Sequence, residues 1–66
     1  MRFAMLEDRE GEVVYVNPAL VMATRPNGPS QTLVYMAGAR DRFFFIDGDI
    51  VAVTDMIEKA SEEGTT

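Results

Sequence analysis

Residues 40–53 read "RDRFFFIDGDIVAV", and two features of this stretch decide the fold. The first is the triplet Phe43, Phe44 and Phe45. A strand sends neighbouring side chains to opposite faces, so the triplet puts aromatic rings on both faces of any sheet it joins. The second is the acidic step Asp47-Gly48-Asp49. Asp-Gly between apolar runs is a two-residue hairpin signal, which makes "DIVAV" a sixth strand. The rival is a helix capped by Asp49. On a helical wheel Ile50, Val53, Met56, Ile57 and Ala60 form one apolar stripe about 120° wide. Asp55, Glu58, Lys59 and Glu62 fall outside it, and only Val51 is misplaced. Asp47 and Asp49 then stand at the positive end of the helix dipole, and Gly64 is placed to end the helix. The pattern favours the helix; a strand to Val53 with a helix from Asp55 is the mixed alternative.

Upstream of this stretch, short apolar runs alternate with turn residues. "RFAMLED" is a first strand, with Phe3 and Met5 on one face and Ala4 and Leu6 on the other. Gly11 supplies the turn after it. "EVVYVN" is the second strand, with Val13 and Tyr15 on one side and Val14 and Val16 on the other. Pro18 has no backbone donor and cannot sit inside a paired central strand, so "NPAL" is a corner. "ALVMATR" is the third strand, "PNGPS" a loop, "QTLVYMA" the fourth strand, "GARD" a turn and "RFFFI" the fifth strand. Connections this short predict an antiparallel meander. The expected fold is α+β: five antiparallel strands in a partly barrel-like meander, one C-terminal helix, a single domain over residues 1–63 and a disordered tail at 64–66.

With 66 residues, the chain has room for one small core. Domains of this size bury only about 60% of their unfolded surface, and disulfides, metals or oligomerisation usually compensate. There is no cysteine and no histidine. That removes disulfides, thiolate and imidazole metal ligands, and the commonest general base. Oligomerisation or a partner protein is the remedy left. No apolar run approaches the ~18–20 residues that span a bilayer. "MRFAMLEDREGE" lacks the pattern of a secretory signal. The expectation is a cytoplasmic protein without a membrane partner.

The net charge of −5 is unevenly placed. Through Ile46, five arginines (Arg2, Arg9, Arg25, Arg40, Arg42) balance Glu7, Asp8, Glu10, Glu12 and Asp41. From Asp47 onward Lys59 alone faces Asp47, Asp49, Asp55, Glu58, Glu62 and Glu63. Without a cationic cluster, nucleic acid is disfavoured as a partner.

No motif carries chemistry. The Asp47–Asp49 step lacks the ligand spacing of a calcium loop, and a turn with a helix cap explains it. Glu7, Asp8, Glu10 and Glu12 cluster around a turn, as a solvated edge does. Ser30 and Thr32 have no base beside them. The expectation is no enzyme, no catalytic residue, no cofactor, no metal and no small-molecule substrate.

The pieces "GEVVYVNPALV", "TLVYMAG" and "DMIEKA" resemble the FlbD-like family of very small bacterial proteins, over some fifty residues from Gly11 to Ala60. The family usually has an Asn-Gly turn where this chain has "AGARDR", and it has no Phe triplet. The resemblance implies a role in assembly, since such proteins are associated with flagellar assembly and its regulation.

The leading functional expectation is a protein–protein interaction module, either a homo-oligomer or a small subunit or assembly factor of a larger complex. Its candidate interface comprises Phe43, Phe44, Phe45 and Ile46, with Val34, Tyr35 and Met36 of the fourth strand and Val14 of the second. One parity of the fifth strand faces the partner, either Phe44 with Ile46 or Phe43 with Phe45. The alternative is an acidic regulator that docks on a basic protein through Asp55, Glu58, Glu62 and Glu63, as a nucleic-acid decoy would. A third reading is a single-stranded nucleic-acid platform, in which Tyr15, Tyr35 and the Phe triplet stack bases beside Arg25, Arg40 and Arg42.

Overall fold

Asp49 opens a helix, not a sixth strand. Its backbone is extended (φ −73°, ψ 165°), and its side-chain Oδ1 accepts the Ala52 N–H at 2.8 Å. The helix, α1, then runs Ile50–Glu62. The computed structural model of the protein describes residues 2–38 and 43–63. The "GARD" turn beyond Gly38, the charges Arg40, Asp41 and Arg42, and the tail at 64–66 lie outside the described residues.

Gly48 has the positive φ that a hairpin turn requires, yet it swings the chain from strand into helix. Its φ is +125°, and a Cβ there would stand 3.0 Å from Val53 Cγ2. Both facts disfavour a side chain, the first by backbone strain and the second by crowding. The turn is pinned to the sheet: Gly48 N–H donates to Ser30 O at 2.8 Å, and buried Thr32 Oγ1 donates to Gly48 O at 2.9 Å.

Before the helix come β1 (Ala4–Glu7), β2 (Val13–Val16), a 3₁₀ turn (Pro18–Leu20), β3 (Val21–Pro26), β4 (Gln31–Met36) and β5 (Phe43–Asp47). All pairings are antiparallel. The expected single meander does not form, and no barrel closes. The strands make two sheets, β1–β2 and β3–β4–β5. The break falls at Pro18. Asn17 Oδ1 accepts the Ala19 N–H at 3.0 Å and the chain makes one 3₁₀ turn, so β2 and β3 diverge instead of pairing. The two sheets meet where Asp8 bridges Ile46 and Arg9 N–H donates to Phe45 O at 3.2 Å.

The core lies between the sheets and α1. Ala4 and Leu6 of β1, Val16 of β2, Val34 of β4 and Ile46 of β5 are buried against Val53, Ile57 and Ala60 of α1. Val14, Val21, Met36 and Phe44 pack around them. Each fully buried Val or Ile contributes about 1.5–3 kcal/mol relative to exposure. The helical stripe is narrower than the wheel suggests: Met56 is exposed and Ile50 only half-buried. Val51, the misplaced residue, is 75% exposed.

Candidate protein-interaction surface

Alternation puts the eight expected interface residues on two different faces. Val34 and Ile46 have no exposed surface, and Phe44, Met36 and Val14 pack partly buried against the same core. These five sit on the helix side of the sheets, where Val34 and Ile46 are fully covered and Phe44, Met36 and Val14 only in part. The remaining three, Tyr35, Phe43 and Phe45, lie on the outer face of β3–β4–β5. The outward parity of β5 is therefore Phe43 with Phe45.

The outer rings form a contact cluster. Tyr35 and Phe43 are cross-strand partners with centroids 5.7 Å apart, and Phe43 meets Phe45 edge-to-face at 5.3 Å. Both separations fall in the favourable range for aromatic pairs. The Arg9 guanidinium lies 3.9 Å over the Phe45 ring, so the β1–β2 turn reaches across and covers one side of the cluster. That turn is built by Asp8, whose Oδ1 accepts the N–H groups of Glu10 and Glu12, each at 2.9 Å. One of the four clustered carboxylates is thus engaged in shaping the turn that carries Arg9.

A larger apolar surface lies on the β1–β2 hairpin. Ala4, Leu6, Val14 and Val16 point toward the core, so Phe3, Met5, Val13 and Tyr15 point away. These four are 56–62% exposed. Met5 and Tyr15 are cross-strand partners, and the Tyr15 hydroxyl reaches Met5 Sδ at 3.6 Å. On one side Met56 of α1 adjoins Met5 across a shallow depression. On the other, Leu20 joins Phe3 and Tyr15 around a groove of ≈ 350 Å³ floored by Phe44 and Met36. Six large apolar side chains thus form one surface. None of them was among the expected interface residues. Their signal was present in "RFAML" and "EVVYV", where both parities of a strand are apolar, as they are in the Phe triplet.

The expected acidic face is exposed on α1, but it is partly neutralised. Lys59 pairs with Asp55 at 3.2 Å, and Arg2 pairs with Glu63 at 3.2 Å. Glu58 and Glu62 are exposed on the same helix. Among the described residues no three carboxylates converge on a point that could hold a cation. No described helix is long and apolar enough to cross a membrane. The chain matches no protein-family model, no curated protein and no solved structure.

Proposed function

We propose that this chain is a non-enzymatic protein-interaction module, acting as a self-associating protein or as a small subunit of a larger assembly. The observation that carries the reading is the uncovered hairpin face of Phe3, Met5, Val13 and Tyr15, extended by Met56 and Leu20. A fully accessible Phe or Tyr offers ~200 Å², so at these exposures the six side chains amount to roughly 500–600 Å². That is as large as the largest patch on a typical monomer and most of the ~800 Å² that one partner contributes to a stable interface. Four adjacent side chains on so small a hairpin dominate its outer face. We further propose a bacterial cytoplasmic assembly as its setting, which rests on the sequence resemblance to FlbD-like proteins alone.

Charge-led docking through Asp55, Glu58, Glu62 and Glu63 is the weaker alternative, because Asp55 and Glu63 are already paired with cations of the same chain. Base stacking on Tyr35, Phe43 and Phe45 is weaker again, since Arg9 already occupies the Phe45 ring.

The test is affinity capture from the source cells with the tagged parent and with the double variant Met5→Ser/Tyr15→Ser, combined with sedimentation of each. The parent should retain itself or a defined partner in ~0.5 M salt, where charge-led contacts are screened, and the variant should lose it. A parent that is monomeric and captures nothing, or a variant that captures as well as the parent, would overturn the reading.

A further inference from the structure

We infer that the occupant of the hairpin face is a second copy of this chain, packed face to face about a two-fold axis with the β1 strands running antiparallel. This rests on the interaction-module reading and names the partner of that same surface. The first argument is area. The patch supplies roughly 500–600 Å² per chain, and a two-fold contact counts it twice. Adding the polar rim brings the total into the standard range of a stable dimer. A sheet pair of this kind packs through the side chains of its facing surfaces at ~10 Å separation. Phe3, Met5, Val13 and Tyr15 alternate along the two strands as such a layer requires.

The second argument is charge. The two ends of the apolar face differ in charge: one carries cations balanced by carboxylates of the same chain, the other carries carboxylates alone. Around Phe3 and Met5 stand Arg2 and Lys59, with Glu63. Around Met5 and Val13 stand Glu7 and Asp47. Glu7 shares the outer parity of β1 and is the cross-strand partner of Val13. Neither Glu7 nor Asp47 belongs to an ion pair among the described residues. A parallel arrangement of two copies would set Glu7 and Asp47 against their own duplicates. An antiparallel two-fold arrangement instead brings the Glu7 end of each copy to the Arg2 and Lys59 end of the other. The Arg2–Glu63 and Lys59–Asp55 pairs are solvent-exposed, so exchanging one partner for another costs little. The face is thus apolar in its centre with a carboxylate end at one side of its rim, and the antiparallel arrangement keeps the two carboxylate ends apart and sets each near exchangeable cations. An unrelated partner gives no reason for that polarity.

The third argument concerns the alternative of edge pairing. Adding strands β2 to β2 would extend the hairpin into a four-stranded sheet but would leave the outer apolar face exposed and doubled. Face-to-face packing covers it.

Sedimentation equilibrium of the full chain, with a charge-swap series, tests the proposal. The parent should be a dimer, twice the 7.3 kDa chain, at ~100 μM and should dissociate on dilution. Met5→Asp should raise the dissociation constant at least ~30-fold, as loss of a central anchor does. Glu7→Lys alone and Arg2→Glu alone should each weaken the dimer by ~2–5-fold. The double variant Glu7→Lys/Arg2→Glu should bind more tightly than either single variant, because the exchanged 7–2 contact again matches while Lys59 and Asp47 keep their signs. Urea midpoints for every variant confirm that the fold persists. A parent that stays monomeric at ~1 mM overturns the dimer. If that monomer still captures a partner that Met5→Ser/Tyr15→Ser loses, the interaction-module reading stands and only the occupant is wrong. A dimer that Met5→Asp leaves intact, or a double variant no better than the single ones, overturns the antiparallel hairpin contact.

Discussion

The guanidinium of Arg9 stands 3.9 Å over the ring of Phe45, and the same residue's N–H donates to the Phe45 carbonyl at 3.2 Å. One residue of the β1–β2 turn thus holds β5 by both backbone and side chain, next to the Asp8–Ile46 bridge between the two sheets. It also covers part of the outer face of the Phe triplet. Arg9→Ala should destabilise the domain by about 0.5–1 kcal/mol, the value of a cation–π contact at an exposed site, while Arg9→Lys should lose less. Urea unfolding with a fixed slope measures both. Equal stability of Arg9→Ala and the parent would mean that the stacking contributes nothing.

Gly48 should resist substitution. At φ +125° and with Val53 Cγ2 only 3.0 Å from a Cβ, Gly48→Ala combines backbone strain of about 1–3 kcal/mol with crowding against a buried core residue. The thermal midpoint should fall sharply. Gly28→Ala is the control, because φ is +78° but no atom lies within 4 Å of its Cβ. It should cost the backbone strain alone, and a Gly48 variant no worse than the Gly28 variant would remove Val53 from the account.

The start of α1 gives a paired prediction. Asp49→Ala removes the acceptor of the Ala52 N–H and should cost about 0.5–2 kcal/mol. Val51→Lys, at a 75% exposed position, should change stability by no more than about 0.5 kcal/mol. A large drop for Val51→Lys would instead indicate a sixth strand, with Val51 packed beside the Phe triplet.

Within β5 itself, Ile46→Ala should cost about 2–5 kcal/mol, because it opens a cavity at a fully buried position. A domain this small has a stability of the same order, so the variant should be largely unfolded by circular dichroism. Phe43→Ala, at a 42% exposed position, should remain folded, because it loses the ring contacts with Tyr35 and Phe45 but opens no cavity in the core. Equal damage from the two variants would show that the inner and outer parities of β5 have been reversed.

Much of this fold was legible locally. The short apolar runs "RFAML", "EVVYV" and "QTLVYM", rich in β-branched and aromatic residues, marked strands; Gly11 and the Pro26–Ser30 stretch marked turns. Asp49 followed by a 3.6-period apolar stripe marked the helix. These signals are local because hydrogen-bond geometry and side-chain direction repeat within a few residues. Alternation also separated the two parities of each strand without saying which one faces inward. Both parities are apolar in β1, β2 and β5, so pattern alone leaves the choice open. Tertiary structure made it, because α1 can cover only one side and its buried residues Val53, Ile57 and Ala60 select Ile46, Leu6 and Val16. The remaining parity, Phe3, Met5, Val13 and Tyr15, became the outer surface. The split into two sheets at Pro18, and the placing of Arg9 on Phe45 across 36 positions of chain, were likewise decided in three dimensions. Such contacts depend on how separate elements pack, and no local periodicity encodes that distance.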